Sequence, residues 1–396
     1  MEDEVGERGG CFGGKDDARV WERAVSVRNS PVISHLYVHI PFCPKVCPYC
    51  SFYKEASDRN KTQRFLDAVL RELDVQKERH VVRPQTIFFG GGTPSALSTS
   101  QLEYLLGGLR DRLDLGALSE WTLEMNPATV SLEKAVLLRG MGVNRISMGV
   151  QSWDDGLLKV LGRVHSASQA RRSYEILREA GFENVNLDLM FAVPGQTAAQ
   201  WEVSLEQTIA LQPEHISSYC LTYEEDTAFF ARFTRGELQR DTHQEADLFE
   251  ATMDRFRDAG YEQYEISNYA RPGRDCVHNL AYWMGWDYLG LGPSAFSTVG
   301  LKRWENVADT VAYCGRIEGA GVAEGEVEHL TEEVRASERV AFGLRTNRGV
   351  LRTDLTPWEE EARRFEDGGL LSGDLERVYL TRRGRLMADT VAQAFV

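Results

Sequence analysis

Six runs rich in β-branched and aromatic residues recur between residues 36 and 221: LYVHI (36–40), TIFFG (86–90), WTLEM (121–125), NRISMGV (144–150), VNLDLMF (185–191) and HISSYCL (215–221). Helical patterns fill the gaps. Leu102, Leu105, Leu106 and Leu109 repeat at i, i+3, i+4, i+7, and Phe65, Leu66, Val69, Leu70 and Leu73 form a second stripe. Strands joined by helix-length connections pair in parallel, because an antiparallel neighbour needs only a hairpin. A doubly wound sheet and a barrel both satisfy this alternation, but chemistry-bearing residues fall at or near the ends of successive strands. Cysteines follow the first, Gly90–Pro94 the second, Glu124–Pro127 and Gln151 end the third and fourth, and Asp188 lies on the fifth. They collect on the carboxyl edge, where α/β proteins build sites. The alternation weakens after about residue 225, so the expected fold is α/β, an incomplete (β/α)6 TIM-like barrel rather than a closed eight-fold one.

Around this unit the sequence divides further. Residues 1–33 lack periodicity and read as a flexible tail with a short helix around 20–27. The barrel with its C-terminal extension is assigned to 34–300. Within it, a helix around 246–259 leads into YEQYEISNYARPG, a strand closed by a Pro272–Gly273 turn. The Gly-rich, polar stretch 301–328 reads as a linker. Residues 329–396, with a helix at 332–344, a strand RVYL at 377–380 and a helix from Thr381, suggest a small helical or winged-helix-like domain.

The balance of 45 Lys and Arg against 60 Asp and Glu, a formal charge of −15, argues against a nucleic-acid partner. No apolar run is long enough to cross a bilayer, and the acidic, Gly-rich start MEDEVGERGG does not read as a signal peptide, so the expected compartment is the cytoplasm. Seven cysteines, at 11, 43, 47, 50, 220, 276 and 314, make a poor disulfide framework, and the three that cluster point to metal or redox chemistry.

Cys43-Pro-Lys-Val-Cys47-Pro-Tyr-Cys50 packs three thiols into eight residues. Three is the informative count. A cubane cluster on three cysteines leaves one iron open to an outside ligand, whereas a structural zinc closes its shell with four protein groups, for which His39 is the available fourth. Gly90-Gly91-Gly92-Thr93-Pro94 directly follows a strand but lacks the Lys-Ser/Thr of a P-loop and the spacing of a dinucleotide fingerprint. Glycines there let backbone approach a small ligand or simply make a tight bend.

YVHIPFCPKVCPYC followed by FFGGGTPS resembles the radical S-adenosylmethionine (SAM) superfamily, in the branch that holds oxygen-independent coproporphyrinogen oxidases and haem chaperones. The similarity continues through EMNP (124–127), RISMGVQS (145–152), LGRVH (161–165), LDLMFAVPGQT (187–197), YEISNYARPG (264–273), HNLAYW (278–283), DYLGLGPSA (287–295) and FGLRTNRGV (342–350). It implies that Cys43, Cys47 and Cys50 ligate a 4Fe-4S cluster whose open iron is chelated by SAM. It places Tyr37 and Tyr49 beside SAM and gives Gly91, Gly92 and Thr93 backbone contacts to its methionine end. Glu124, Gln151, Arg163 and Asp188 match the family's polar contacts: Arg163 can fork onto a carboxylate and Asp188 can accept from ribose hydroxyls. In the family, reductive cleavage of SAM yields a 5′-deoxyadenosyl radical, which calls for an electron donor.

Within the branch, the oxidases resemble CxxxCxxCxC, and Phe52 occupies the position of their additional cysteine. The segment before the first strand is also shorter than theirs. Both departures favour the haem-chaperone family, in which HNxxYW is associated with haem. The resemblance thus assigns haem to His278, Asn279, Tyr282 and Trp283, with haem-accepting apo-proteins as partners and a haem-dependent homodimer. An imidazole is a competent axial ligand and the aromatics offer a flat surface. From the residues alone, an isolated histidine such as His278 is more often a hydrogen-bonded packing residue than a haem ligand. Phe296, in GPSAF, stands where relatives often carry histidine, and the alternatives within the branch are porphyrinogen decarboxylation and radical methyl transfer.

Overall fold

A computed structural model describes residues 32–56 and 59–396. All six strands foreseen are present: β1 (Val32–Ile40), β2 (Val81–Gly91), β3 (Glu120–Met125), β4 (Arg145–Gln151), β5 (Val185–Phe191) and β6 (His215–Cys220). They lie side by side in that order, all parallel. The helices between them are α1 (Arg59–Arg79), α2 (Thr99–Arg112), α3 (Leu132–Met141), α4 (Asp155–Val160), α5 (Ala167–Glu179) and α6 (Ala198–Leu211). Their starts are written locally. Ser98, Ser166 and Thr197 each open a capping box closed by a glutamine three residues on, which satisfies two otherwise unpaired donors.

Alternation along each strand decides which side is core. One face, Leu36, Val38, Ile40, Ile87, Phe89, Trp121, Leu123, Ile146, Met148, Leu187 and Leu189, is fully buried beneath the helices. The other carries Tyr37, Glu124, Arg145, Ser147, Asn186, Asp188 and Ser217, which line a cavity. The sheet therefore curls around a polar interior, with its hydrophobic core between strands and helices.

The sheet does not close. After β6 come α7 (Ala228–Thr234), α8 (Thr242–Asp258) and two short strands, β7 (Glu262–Gln263) and β8 (Asn268–Ala270), that run antiparallel beyond β6. Then α9 (Val277–Trp283) leads to β9 (Leu289–Leu291), which returns to pair in parallel on the free side of β1. Nine strands thus run from β9 to β7 as one open sheet, the incomplete barrel expected.

Two assignments change. The tail expected over 1–33 falls outside the described residues except for Val32 and Ile33, which open β1; the short helix around 20–27 falls outside them altogether. Residues 301–328 are not a linker. They contribute β11 (Lys302–Asn306), α10 (Thr310–Ala320) and β12 (Glu324–His329), and with β10 (Phe296–Val299) make a three-stranded antiparallel sheet. The reason is α10: Thr310, Tyr313, Cys314 and Ile317 form a buried stripe against α1, and Tyr313 donates to the buried Glu72.

The C-terminal unit comprises α11 (Glu332–Leu344), a three-stranded sheet of β13 (Val350–Leu351), β14 (Leu371–Gly373) and β15 (Arg377–Leu380), and helices α12 (Glu359–Asp367), α13 (Arg382–Leu386) and α14 (Ala388–Gln393) around a separate core. Asn347 N–H donates to Tyr264 carbonyl at 2.8 Å, and Trp283 meets both Phe342 and Arg345, joining this unit to the barrel. Among the described residues no helix is long and apolar enough to cross a membrane.

Candidate functional site

A cavity of about 630 Å³ opens at the carboxyl edge of the barrel. Its lining includes Cys43, Cys47, Cys50, Tyr37, Tyr49, Gly91, Gly92, Thr93, Glu124, Gln151, Arg163, Asp188 and Asn279. Every residue expected to hold the cluster or SAM is therefore gathered on one surface, although they come from sequence positions 37 to 188.

The cysteine loop is shaped by its surroundings. Glu55 N–H donates to Pro41 carbonyl at 2.8 Å, and Lys54 Nζ donates to the carbonyls of Cys50 (2.6 Å) and Phe52 (2.9 Å), tying the loop's return to its start. Burial pushes the Cys43 and Cys50 thiols up; the Thr93 hydroxyl, 3.4 Å from Cys43 Sγ, and Lys54 beside Cys50 pull them back toward thiolate. Arg163 Nη1 lies 3.8 Å from Cys47 Sγ, while its Nη2 donates to Gly149 carbonyl at 2.7 Å. Among the described residues no three His, Cys, Asp or Glu side chains converge on one point as a mononuclear metal would require. His39 is already engaged, Nε2 with Tyr53 carbonyl (2.9 Å) and Nδ1 with Tyr37 hydroxyl (3.2 Å).

The glycine loop has a structural cause as well as a place on the wall. A Cβ at Gly91, whose φ is +99°, would run into the His39 ring, and one at Gly92 would meet Ile40 carbonyl oxygen at 2.8 Å. Beside it, burial and the neighbouring Asp188 raise the Glu124 carboxyl to about 8. Asp188 is raised by burial and held by Asn186 Nδ2 at 2.6 Å. Two polar atoms at this rim are buried without a partner, Gln151 Oε1 and Arg163 Nε, and Gln151 takes φ +70°. Unspent polar groups in a cavity are what a polar ligand completes.

The haem candidates are placed differently. Asn279 reaches the cavity; His278, Tyr282 and Trp283 are absent from its lining. His278 is 1% exposed, with Nδ1 2.7 Å from Thr86 Oγ1, Nε2 3.1 Å from Tyr282 hydroxyl, and its ring stacked on Phe88. Burial, helped by His35 and Arg145, lowers it to about 3, so the imidazole is neutral. Trp283 packs between barrel and C-terminal unit. Cys276 is buried beside Glu120 and raised to about 12. Phe52 stands exposed at the cavity, and Phe296 is half-exposed outside its lining.

Sequence reasoning passed over Arg145, Ser147, Asn186, Ser217 and Tyr219, which also line the cavity. The signal was present: each shares the alternation phase of a recognised site residue on its own or an adjoining strand.

Residues 37–207 match the model of the radical SAM superfamily. The heme chaperone HemW of Bacillus subtilis is 36% identical over 91% of this chain and 98% of its own length. That of Mycobacterium tuberculosis (strain H37Rv) is 34% identical over 91% and 94%. The chain belongs to the HemW family of radical SAM proteins. Among solved structures, coproporphyrinogen III oxidase (HemN) from Escherichia coli superposes with a TM-score of 0.81 at 24% identity, over 97% of this chain and 93% of that one. The HemW family and that oxidase thus share this fold, including the C-terminal unit.

Proposed function

We propose that this chain is a haem chaperone that holds a 4Fe-4S cluster on Cys43, Cys47 and Cys50, binds SAM on the adjoining rim and passes haem to apo-proteins. The observation that carries the reading is near full-length similarity to proteins named heme chaperone HemW. The donor set fits the cofactors: three thiols share one mouth, and Gln151 Oε1 and Arg163 Nε lie unspent beside them. When bound, the cluster and SAM supply one-electron chemistry. The protein's part is positioning. Lys54 fixes the loop, Arg163 holds positive charge beside Cys47, and Asp188, oriented by Asn186, presents an acceptor to ribose hydroxyls.

Haem would enter by way of Asn279, the one residue of HNLAYW in the cavity lining. The neutral His278 is chemically suited to ligate iron once it gives up Thr86 and Tyr282. Reading Phe52 in place of a further cysteine, we assign no coproporphyrinogen turnover. An electron donor is a required partner, and free thiols suit the cytoplasm.

The test is anaerobic reconstitution followed by iron and sulfide analysis, EPR and haem titration, with coproporphyrinogen turnover assayed on the same sample. The expected outcome is four iron and four sulfide per chain, a Soret shift on haem addition that is lost in His278→Ala, and no protoporphyrinogen. Turnover without haem binding would replace the chaperone reading with the oxidase one.

A further inference from the structure

The barrel interior holds a cation that the cluster and SAM assignments do not use. Arg145 opens β4, at the amino end of a strand whose carboxyl end carries Gln151, so it lies deep in the barrel, below the rim. Its side chain is 1% exposed, yet it lines the cavity, and among the described residues its Nε has no hydrogen-bond partner. A guanidinium is not deprotonated in a protein, and burying one with even one donor unspent is costly. The nearby acid Glu120 is committed elsewhere: its carboxylate accepts the backbone N–H groups of Val277 (3.0 Å) and His278 (3.1 Å) and the thiol of Cys276. Asp188, also close enough to interact, accepts instead from Asn186 and Ser147. Cys276, the residue that caps the helix bearing Asn279, is also close enough to Arg145 to interact.

We propose that Arg145 is the floor of a carboxylate-binding subsite, which holds an acidic substituent of the ligand inserted into the barrel beneath SAM. This deepens the haem reading and rests on it: the substituent is a propionate of the porphyrin, received by the fork of Arg145 while the ring lies along the apolar wall of Tyr37 and Phe88. It distinguishes this carboxylate from that of SAM, which the rim residue Arg163 is placed to meet.

The experiment titrates reconstituted protein with haem and with haem dimethyl ester, whose propionates carry no charge, using wild type, Arg145→Met and Arg145→Lys. Wild type should bind the ester roughly 10- to 100-fold more weakly than haem, the worth of one charge-assisted pair. Arg145→Met should bind haem as weakly as wild type binds the ester and lose the preference between them. Arg145→Lys should keep part of it. Equal affinity of wild type for both ligands overturns the subsite, and that measurement stands even if Arg145→Met does not fold. A folded Arg145→Met with an undiminished preference for haem overturns it too. Wild type that binds neither ligand overturns the haem reading itself and this subsite with it, a failure distinct from haem binding without discrimination.

Discussion

The cysteine rim and the HNLAYW helix adjoin the same cavity but treat their polar groups in opposite ways. At the rim, among the described residues, Gln151 Oε1 and Arg163 Nε are buried and unspent, and the Cys43 and Cys47 sulfurs make long contacts with Thr93 and Arg163. On the helix, both His278 nitrogens are spent, on Thr86 and Tyr282, and Thr86 in turn bonds His35 at 2.9 Å. The first region is built to be completed by a ligand; the second is already complete. Binding at the rim therefore adds hydrogen bonds, whereas ligation by His278 must exchange them.

The largest expected effect tests the rim. Replacing any one of Cys43, Cys47 or Cys50 with alanine should remove essentially all cluster iron after reconstitution. Urea unfolding of the apo-protein should shift by less than about 1 kcal/mol, because each half-buried thiol does little for the fold. Iron retained at wild-type stoichiometry in all three variants would break the assignment. His278→Ala should do the reverse. It leaves the Tyr282 hydroxyl without this partner, opens a void against Phe88, and should cost about 2–4 kcal/mol of stability by urea denaturation while cluster iron stays at wild-type level.

This contrast explains what the sequence made legible. The six strands and the two helix stripes could be read because hydrophobic period is local. The cysteines, Gly91–Thr93, Glu124, Gln151 and Asp188 stood out because they follow, end or lie on strands, whereas Tyr49, in the cysteine loop, and Arg163, in the turn after α4, came only from the family resemblance. Arg145 did not stand out, since inside NRISMGV it reads, with Asn144, as the polar start of a strand; only the curl of the sheet turns that face into a cavity wall. The stretch 301–328 was misassigned because β11 buries one apolar side chain, Trp304, beside a buried Asn306, and β12 buries none, so KRWEN and EGEVEH show little hydrophobic pattern. The stripe of α10 was masked by Gly315 and Gly319. His278 was recognisable as a motif residue, but its partner Thr86 lies 192 positions away, beyond any local rule.

The two regions should also respond to pH with opposite sign. His278, at about 3 in the fold against 6.5 as a free side chain, takes up its proton first in the unfolded chain, so its contribution is lost as pH falls from 6.5 toward 3. Glu124, raised to about 8 from 4.5, keeps its proton longer in the fold, so its contribution is lost as pH rises from about 4.5 to 8. Each group changes stability by up to about 1.4 kcal/mol per pH unit within its window. Denaturation curves from pH 4 to 9 should show Glu124→Gln flattening the alkaline limb alone and His278→Gln the acid limb alone; a variant that flattens the other limb would show the two regions to be coupled.

The smallest effect is the most discriminating. Gln151 holds φ +70°, a left-handed conformation that costs a non-glycine residue about 1 kcal/mol, and its buried Oε1 returns no hydrogen bond for that cost. Gln151→Gly relieves the strain but adds backbone entropy to the unfolded chain, so the two changes should nearly cancel, leaving stability within about 0.5 kcal/mol of wild type. SAM affinity, measured calorimetrically on the cluster-bound protein, should fall about tenfold through loss of one buried amide contact. Strain kept without stability in return is then accounted for by the ligand. Unchanged SAM affinity together with raised stability would instead make the conformation a fold defect and remove Gln151 from the rim's working set.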